Sequence, residues 1–200
     1  METWPKDNIP DDHNPHVAQW INEYLKPGDV FYDVGANRGI FSILAAELGA
    51  TVYAFECVPS TAVMIPEHKL ITVVSCAIGK LPSFGAVALS VGSGQVEVTT
   101  SDIGREMLER KLIVPILPLK PFSKMFSPPD MIKMDIQGME LEALEGAEDI
   151  LKRVRTMIIE VEGSGLARHG ASRQQVIDYC ILKGFNTITE VGSDVLFRRV

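Results

Sequence analysis

The length of 200 residues, with 46% hydrophobic and 22% charged side chains, suits one globular domain with a substantial apolar core. The net charge of −7 argues against binding to nucleic acids or to an anionic membrane, since both need clustered Lys and Arg. The three cysteines are scattered without metal-ligand spacing, and we expect neither a secretory signal nor a membrane segment. These features predict a soluble cytoplasmic protein with reduced thiols.

The first part of the chain alternates between helical and strand-like apolar patterns. We predict a loose lead-in and a helix within residues 1–27, followed by a main domain over residues 28–200. The elements predicted up to residue 77 are the helix His16–Leu25, the strand Val30–Val34, the helix Ile40–Leu48, and the strands Thr51–Phe55 and Ile71–Ala77. Strands that alternate with helices at this spacing predict a parallel sheet with helical crossovers.

The middle of the chain departs from this pattern. A β-hairpin is predicted near residues 84–99, and the charged residues 100–112 are interpreted as a candidate lid. The alternation then resumes with the strand Met131–Ile136, the helix Glu140–Lys152, the strand Thr156–Val161, the helix Arg173–Lys183 with Ser172 as its N-cap, and a hairpin of residues 187–190 and 194–200.

The segment VFYDVGANRGIF, residues 30–41, places an acidic residue and two glycines where a buried strand meets a helix. A nicotinamide-binding unit would use the spacing G-x-G-x-x-G, so that the backbone closes on a pyrophosphate. Here Gly35 and Gly39 lack that spacing, and the carboxylate of Asp33 would repel a pyrophosphate, so a nicotinamide oxidoreductase is disfavoured. The turn favours a ligand with an ammonium group, although a structural carboxylate at the helix terminus would also explain Asp33.

A second acidic residue, Glu56, ends the next strand 21 residues after Gly35. A carboxylate at the carboxyl end of a parallel strand can accept hydrogen bonds from the hydroxyls of a ribose, with a solvated strand end as the simpler alternative. A ligand that combines an amine, a carboxylate and a ribose is S-adenosylmethionine. The order of the two acids and the two glycines predicts this cofactor.

Two longer segments carry a family resemblance. Residues 28–60 resemble the first two motifs of class I S-adenosylmethionine-dependent methyltransferases, and IKMDIQGMELEALEGAEDIL, residues 132–151, resembles the signature of their FkbM-like family. The segment TMIIEVEG, residues 156–163, is similar to that family's next strand. The resemblance implies an α/β, Rossmann-like, doubly wound and mostly parallel seven-stranded sheet, with an antiparallel C-terminal hairpin and the hairpin near residues 84–99 as an addition.

The resemblance also implies positions for the cofactor. The methionine end would contact the first turn, the ribose would contact the acid after the second strand, the adenine would lie at the end of the third strand, and the methyl group would face the end of the fourth. The implied residues are Asp33, Gly35, Asn37 and Gly39 for the methionine end, Glu56 for the ribose, Ser75, Cys76 and Ala77 for the adenine, and Asp135 for the methyl group.

A hydroxyl acceptor would require a base to take its proton. The resemblance implies Asp135 for this role, because its strand end faces the methyl group and the acceptor. Glu162 is the second catalytic candidate; Glu160 lies two positions earlier, so we expect both side chains on one side of an extended backbone. His169 in the following loop is the third candidate because of its pKa range. Asp135 with a neighbouring acid could also bind a divalent metal, as in catechol-type O-methyltransferases, but the family pattern does not require one, Gln137 removes one candidate acid, and no metal is predicted.

The sequence departs from the family pattern at two positions. Gln137 stands where the family usually has glutamate, and Lys120 stands where an aspartate is common. The leading prediction is an S-adenosylmethionine-dependent methyltransferase that methylates a hydroxyl of a small molecule or sugar. The alternative is a cofactor-binding protein of the same fold with weak or no catalytic activity. The oligomeric state is not predicted.

Overall fold

The computed structural model describes residues 14–89, 96–99 and 111–199. Its strands in these ranges are β1 Val30–Val34, β2 Thr51–Phe55, β3 Ile71–Val74, β4 Ala77–Ile78, β5 Ser83–Leu89, β6 Val96–Thr99, β7 Lys111–Leu117, β8 Met131–Met134, β9 Thr156–Glu160, β10 Phe185–Val191 and β11 Asp194–Arg199. Its helices are α1 Pro15–Tyr24, α2 Ile40–Glu47, α3 Pro59–Ala62, α4 Phe122–Met125, α5 Glu140–Gly146, α6 Glu148–Leu151, α7 Gly163–Arg168 and α8 Arg173–Leu182. Among these helices none is long and apolar enough to cross a membrane.

The larger sheet has seven strands in the order β10-β11-β9-β8-β1-β2-β3. The pairs from β9 through β8, β1 and β2 to β3 are all parallel. By contrast, β11 is antiparallel to both of its neighbours, β9 and β10. This topology confirms the predicted mostly parallel seven-stranded sheet and its antiparallel C-terminal hairpin.

Both faces of the larger sheet are covered, which explains the apolar sequence of β1. Successive side chains of a strand point to opposite faces. Phe31 packs into a cluster that includes Ile21 of α1. Tyr32 packs into another cluster, which includes Leu144 of α5. A parallel strand covered on both sides presents no polar face, so the buried Asp33 is the exception that needs an explanation.

Helix α1 shares a hydrophobic cluster with the larger sheet. Its buried side chains Val17 and Ile21 belong to the same cluster as Phe31 of β1 and Leu196 of β11. The lead-in helix therefore contributes to the core of the main domain, and the domain boundary expected after residue 27 stays a prediction.

A second sheet has four strands in the order β4-β7-β5-β6. The antiparallel pairing of β5 with β6 confirms the predicted hairpin near residues 84–99. The predicted third strand, Ile71–Ala77, was wrong in its extent. β3 ends at Val74, where the Cys76 N–H bonds to the Val74 carbonyl oxygen, and Ala77 begins β4 in the other sheet.

Strand β7 was missed by the sequence analysis, because Pro115 within it argues against a strand. Residues 100–110 of the candidate lid lie outside the described residues.

Two further boundaries differ from the sequence-based prediction. The helix predicted from residue 140 is divided into α5 and α6 at Ala147, where φ is −103° and ψ is 3°. Strand β9 ends at Glu160, and Glu162 is the N-cap of α7, so the two glutamates do not share one strand, as the expectation of a common side required. The predicted N-cap of α8 is confirmed, since the Ser172 hydroxyl accepts the Gln175 N–H.

We predict that Gly35→Ala destabilises the protein far more than Gly28→Ala. Both glycines have left-handed backbones, with φ of +81° and +86°, but a Cβ at Gly35 would lie 1.8 Å from the Asp135 carbonyl oxygen, whereas a Cβ at Gly28 has no atom within 4 Å. The left-handed backbone alone costs an alanine about 1–2 kcal/mol, which is the loss expected for Gly28→Ala. The clash should bring the loss for Gly35→Ala above about 3 kcal/mol. Urea unfolding measures both losses, and equal values would contradict the close approach.

Candidate active site

The candidate site lies where the order of the larger sheet reverses, between β1 and β8. The chain proceeds from β1 to β2 and β3 on one side and from β8 to β9 on the other. In open α/β sheets, ligands bind outside the carboxyl ends of the strands at such a point. The loops that follow β1 and β8 touch here: the Asp135 N–H bonds to the Val34 carbonyl oxygen at 2.9 Å, and Gly35 faces the Asp135 carbonyl.

The turn after β1 is held in a left-handed backbone. Gly35, Asn37 and Gly39 have φ of 81°, 50° and 79°, a region that glycine adopts freely and asparagine tolerates. The Gly39 N–H bonds to the Ala36 carbonyl oxygen at 2.8 Å, which closes the turn immediately before α2. A Cβ at Gly39 would lie 2.7 Å from Ile65, so the turn also packs tightly against the chain beyond α3.

Glu56 fixes this turn to the end of β2. One carboxylate oxygen, Oε2, accepts the Asn37 N–H at 2.9 Å, and Oε1 accepts the Val58 N–H at 2.8 Å. The residue is 6% exposed, and this burial raises the pKa of its carboxyl despite the two backbone donors. Since a carboxylate can accept about four hydrogen bonds, Glu56 keeps acceptor capacity for a ligand at the turn.

Asp33 lies fully buried beneath the turn. Its Oδ2 accepts the Ser42 hydroxyl of α2 at 2.6 Å, and its Oδ1 lies 3.8 Å from the Lys133 Nζ without a hydrogen-bond partner among the described residues. Burial raises the pKa of Asp33, against the opposing charge of Lys133. In this conformation its carboxylate faces Lys133 and α2, and its expected contact with a cofactor amine stays a prediction.

Lys133 connects the two strands that flank the switch point. Asp33 and Lys133 are paired in the register of β1 and β8. The Lys133 ammonium donates to the Gly35 carbonyl oxygen at 3.2 Å and to Asp135 Oδ2 at 3.5 Å. Burial disfavours its charge, but Asp135, Asp33 and Glu160 together raise the pKa of Lys133 above its ordinary value. The ammonium is therefore a fixed positive charge within a group of acids.

Asp135 and Glu160 form an acid pair at the ends of β8 and β9. The Gln137 amide Nε2 donates to Asp135 Oδ1 at 2.8 Å and to Glu160 Oε2 at 2.9 Å. Glu160 Oε1 also accepts the Ser193 hydroxyl at 3.3 Å. Gln137 holds this position with a left-handed φ of 58°, unusual for a residue with a long side chain. The amide therefore bridges two carboxyl groups that belong to neighbouring strands.

The two acids of this pair have opposite pKa shifts. Burial, followed by the nearby charge of Asp135, raises the pKa of Glu160 to about 8. Burial acts in the same direction on Asp135, but the Lys133 charge and hydrogen bonds from Glu160 and Gln137 outweigh it and lower the pKa of Asp135. The surroundings of the pair therefore favour the ionised form of Asp135 and the protonated form of Glu160.

Comparison with known proteins agrees with this geometry. Residues 33–185 match the family model described as the methyltransferase FkbM domain. The chain belongs to the FkbM methyltransferase family. The hexuronic acid methyltransferase AglP of Haloferax volcanii is 26% identical over an alignment of 159 residues, and the match covers 72% of this chain but only 61% of that protein.

Solved structures share the fold of this FkbM family member at low sequence identity. The methyltransferase FkbM from Methylobacillus flagellatus aligns with a TM-score of 0.55 and 15% identity, over 90% of this chain and 50% of that chain. The magnesium protoporphyrin IX methyltransferase from Synechocystis, solved with S-adenosylmethionine bound, aligns with a TM-score of 0.56 and 12% identity, over 93% and 77%. The class I methyltransferase fold expected from the sequence is confirmed.

Glu140 supports the turn that carries Gln137 in this FkbM family member. Its Oε1 accepts the Ile136 N–H at 3.0 Å and the Gly138 N–H at 3.2 Å, so one oxygen fixes the backbone on both sides of Gln137. The carboxyl is 1% exposed, and burial raises its pKa to about 7. Glu140 therefore shapes the acid pair without joining it.

The two other predicted catalytic residues lie outside the acid pair. Glu162 accepts the backbone N–H groups of Ser164 and Gly165 at the start of α7, and the Ser164 hydroxyl and these N–H groups lower its pKa to about 2. His169 ends α7, and its ring lies against Gly138, where a Cβ would meet it at 3.0 Å. The structure thus gives Glu162 a capping contact, and the catalytic role of either residue stays a prediction.

The predicted adenine-side residues lie at the junction of the two sheets. Ser75 is exposed, Cys76 is buried, and Ala77 begins β4. The Glu56 N–H bonds to the carbonyl oxygen of Val74, the residue immediately before them, so this segment lies beside the ribose candidate. Their contact with a cofactor stays a prediction.

Sequence reasoning missed several members of the site. Lys133 could have been found from the sequence, because it is the one charged residue within the apolar strand β8. The pairing of His16 with Asp194 at 2.8 Å could not, since these residues lie far apart in the chain and no local pattern links them. Lys120, noted as a departure from the family pattern, forms an exposed ion pair with Asp149. In the described part of the chain no group of three or more His, Cys, Asp or Glu is arranged to hold a metal ion.

We predict that Glu160→Gln reduces the loss of stability that accompanies a rise in pH from 5 to 9. A carboxyl whose folded pKa is raised from 4.5 to about 8 stabilises the fold fully below pH 4.5, and this contribution is lost as pH rises through about 8. The free energy of unfolding of the wild type should therefore fall from pH 5 to pH 9, and that of Glu160→Gln should fall less.

Glu162→Gln is the matched control for this measurement. Its lowered pKa stabilises the fold above its usual value of 4.5, and the contribution is lost as pH falls towards 2. This variant should lose about 0.5–2 kcal/mol at neutral pH through its helix cap, with the alkaline slope of the wild type unchanged. Urea unfolding at pH 5, 7 and 9 measures both variants; an unchanged slope in Glu160→Gln would contradict the assignment of the proton.

Proposed function

We propose that this chain is an S-adenosylmethionine-dependent methyltransferase that transfers a methyl group to a hydroxyl of a sugar or another small molecule. The observation that carries the proposal is the meeting of the glycine turn, Glu56 and Asp135 at the switch point of the sheet. Membership of the FkbM family supports the reaction class. The name of the Haloferax volcanii relative, a hexuronic acid methyltransferase, supports a sugar acceptor.

The residues at the switch point fit the cofactor. Glu56 has acceptor capacity for ribose hydroxyls, because only one backbone N–H contacts each of its oxygens. The turn of Gly35, Asn37 and Gly39 would hold the methionine end beside it. The acids around the turn, Asp33, Glu56 and Asp135, outnumber the single ammonium of Lys133 that contacts the turn in the described structure, which favours a ligand with an ammonium and a sulfonium group.

The cofactor supplies a methyl group on a positively charged sulfur, which makes the carbon open to in-line attack. The protein must then position the acceptor oxygen, exclude water and take the hydroxyl proton. The side chain of Asp135 is 30% exposed at this edge of the sheet, so it can reach an acceptor, and Lys133 fixes its orientation from below. These contacts support the proposal that the cofactor binds at the first turn and that proton chemistry occurs at the end of β8.

The charge of the site favours a neutral acceptor. Asp33, Asp135, Glu160 and Asp194 lie near one another, whereas in the described part of the chain Lys133 and His16 are the basic residues that pair with them. A phosphate acceptor would be repelled by this excess of acids, while a hydroxyl would gain an acceptor for its proton. A hexuronic acid, the acceptor in the relative's name, carries a carboxylate, so we expect this chain to share the sugar class with that relative and to differ in the charge of the acceptor. A neutral sugar hydroxyl is therefore the acceptor that we propose.

A cofactor-binding protein with weak or no activity is the alternative, and Gln137 is the residue that favours it. Its amide occupies one oxygen of Asp135 and brings no acid of its own. Turnover of Gln137→Glu well above that of the wild type, with the same acceptor, would support this alternative. Turnover at or below the wild-type value would support an active enzyme.

We predict that Glu56→Gln weakens binding of S-adenosylmethionine and S-adenosylhomocysteine at least about tenfold. The carboxamide loses one of the two acceptor oxygens, and the lost charge-assisted hydrogen bonds are worth about 1.5–3 kcal/mol each. Isothermal titration of the purified chain measures the affinity. The control is Glu47→Gln, an exposed position near the far end of α2 that should bind like the wild type. A folded wild-type protein that gives no binding heat with either compound would refute the proposed function.

A further inference from the structure

We propose that Glu160, bridged to Asp135 by the Gln137 amide, is the second half of the catalytic base, and that the acceptor proton passes to this pair when both carboxyls are ionised. The inference rests on the proposed function and deepens it. The base is then a pair of carboxyl groups rather than Asp135 alone: Asp135 and Glu160 together accept the proton, and Gln137 is a positioning residue.

The geometry of the bridge carries the inference. One amide nitrogen, Gln137 Nε2, is shared between the two carboxyl groups at 2.8 and 2.9 Å. The shared amide therefore holds the two carboxyl groups on either side of one nitrogen. The backbone strain at Gln137, with φ of 58°, is maintained by the Glu140 contacts on both sides of it. Backbone strain of this kind clusters at functional sites, and here the strained conformation orients the Gln137 side chain towards the acid pair.

The surroundings of the pair separate the roles of the two acids. The charged and titratable groups that face it among the described residues include Lys133 of β8, Asp33 of β1, Glu140 of α5, and Asp194 of β11 with its partner His16 of α1. Lys133 lies on the Asp135 side at 3.5 Å, and it keeps that carboxyl ionised. Glu160 faces Asp194 across the antiparallel register of β9 and β11, so it has a like charge as its neighbour. Glu160 is thus the member that binds the proton.

The reaction step balances with this pair as the proton acceptor. The acceptor oxygen forms a bond to the methyl carbon, and the carbon–sulfur bond breaks with its electron pair remaining on sulfur. The acceptor O–H bond breaks, and its proton passes to the doubly ionised pair, which then returns it to water. A pair that already holds one proton is a poor base, because adding a second proton would neutralise the low-pKa Asp135. The rate should therefore rise with the loss of the Glu160 proton, near pH 8.

The test is the pH dependence of methyl transfer from labelled S-adenosylmethionine to the methyl glycosides of glucose, mannose and galactose. The wild-type rate should rise with a midpoint near pH 8. Glu160→Gln should lose this rising limb and fall about 100-fold at pH 8.5. Gln137→Glu should move the midpoint upward by about one pH unit or more, because it adds a like charge beside the pair. The control, Glu190→Gln on the exposed face of β10, should keep the wild-type profile.

The outcomes separate this inference from the proposed function. A rising limb that persists in Glu160→Gln would overturn the pair and leave the methyltransferase proposal intact. A wild-type protein that binds S-adenosylhomocysteine but methylates none of these glycosides at any pH would contradict both the sugar acceptor and the base assigned here.

A second readout needs no turnover. Carboxyl ¹³C resonances of protein labelled in glutamate should include one with a titration midpoint near pH 8 that is absent from Glu160→Gln and present in Glu190→Gln. Addition of S-adenosylhomocysteine to Glu160→Gln should give the wild-type affinity, since Glu160 lies outside the cofactor turn. If the Glu160 resonance titrates near its ordinary value of 4.5, the pair holds no proton at neutral pH and the inference fails.

Discussion

The site depends on one buried ion cluster around the Lys133 ammonium. This group lies within 3.8 Å of Asp33 and 3.5 Å of Asp135, and it donates to the Gly35 carbonyl oxygen. Burying these charges is costly, and the cost is offset only because each charge has an opposite partner. The cluster is therefore weak evidence for stability but strong evidence for positioning. It fixes the turn after β1, where a cofactor would bind, relative to the end of β8, where chemistry would occur.

Two loops that contain left-handed residues lie beside this cluster, one after β1 and one after β8. The first loop passes so close to the Asp135 carbonyl that Gly35 has no room for a side chain. The second loop bends at Gln137, whose amide then reaches both Asp135 and Glu160. In each loop a buried glutamate binds the backbone: Glu56 in the first and Glu140 in the second. The two loops thus use the same device, a carboxylate that accepts backbone N–H groups, to hold a strained turn in place.

The larger sheet and the first turn could be predicted from the sequence because their signals are local. The apolar run of β1 and the spacing of Gly35 and Glu56 each fall within one βαβ unit. The acid pair could be predicted only in part: Asp135 ends a recognisable strand, but the end of β9 at Glu160, which sets Glu160 apart from Glu162, depends on the helix cap of α7. The small sheet was missed at β7 because strand pairing between distant segments leaves no local pattern, and Pro115 argues against a strand.

The most direct test of the account is a crystal structure of the chain with S-adenosylhomocysteine. The account predicts that both ribose hydroxyls donate to Glu56, that the amino-acid end lies along the turn of Gly35 to Gly39, and that the sulfur faces Asp135. The Gln137 amide should still bridge Asp135 and Glu160 beside it. A ligand bound away from the switch point between β1 and β8, or one whose ribose leaves Glu56 uncontacted, would contradict the central claim.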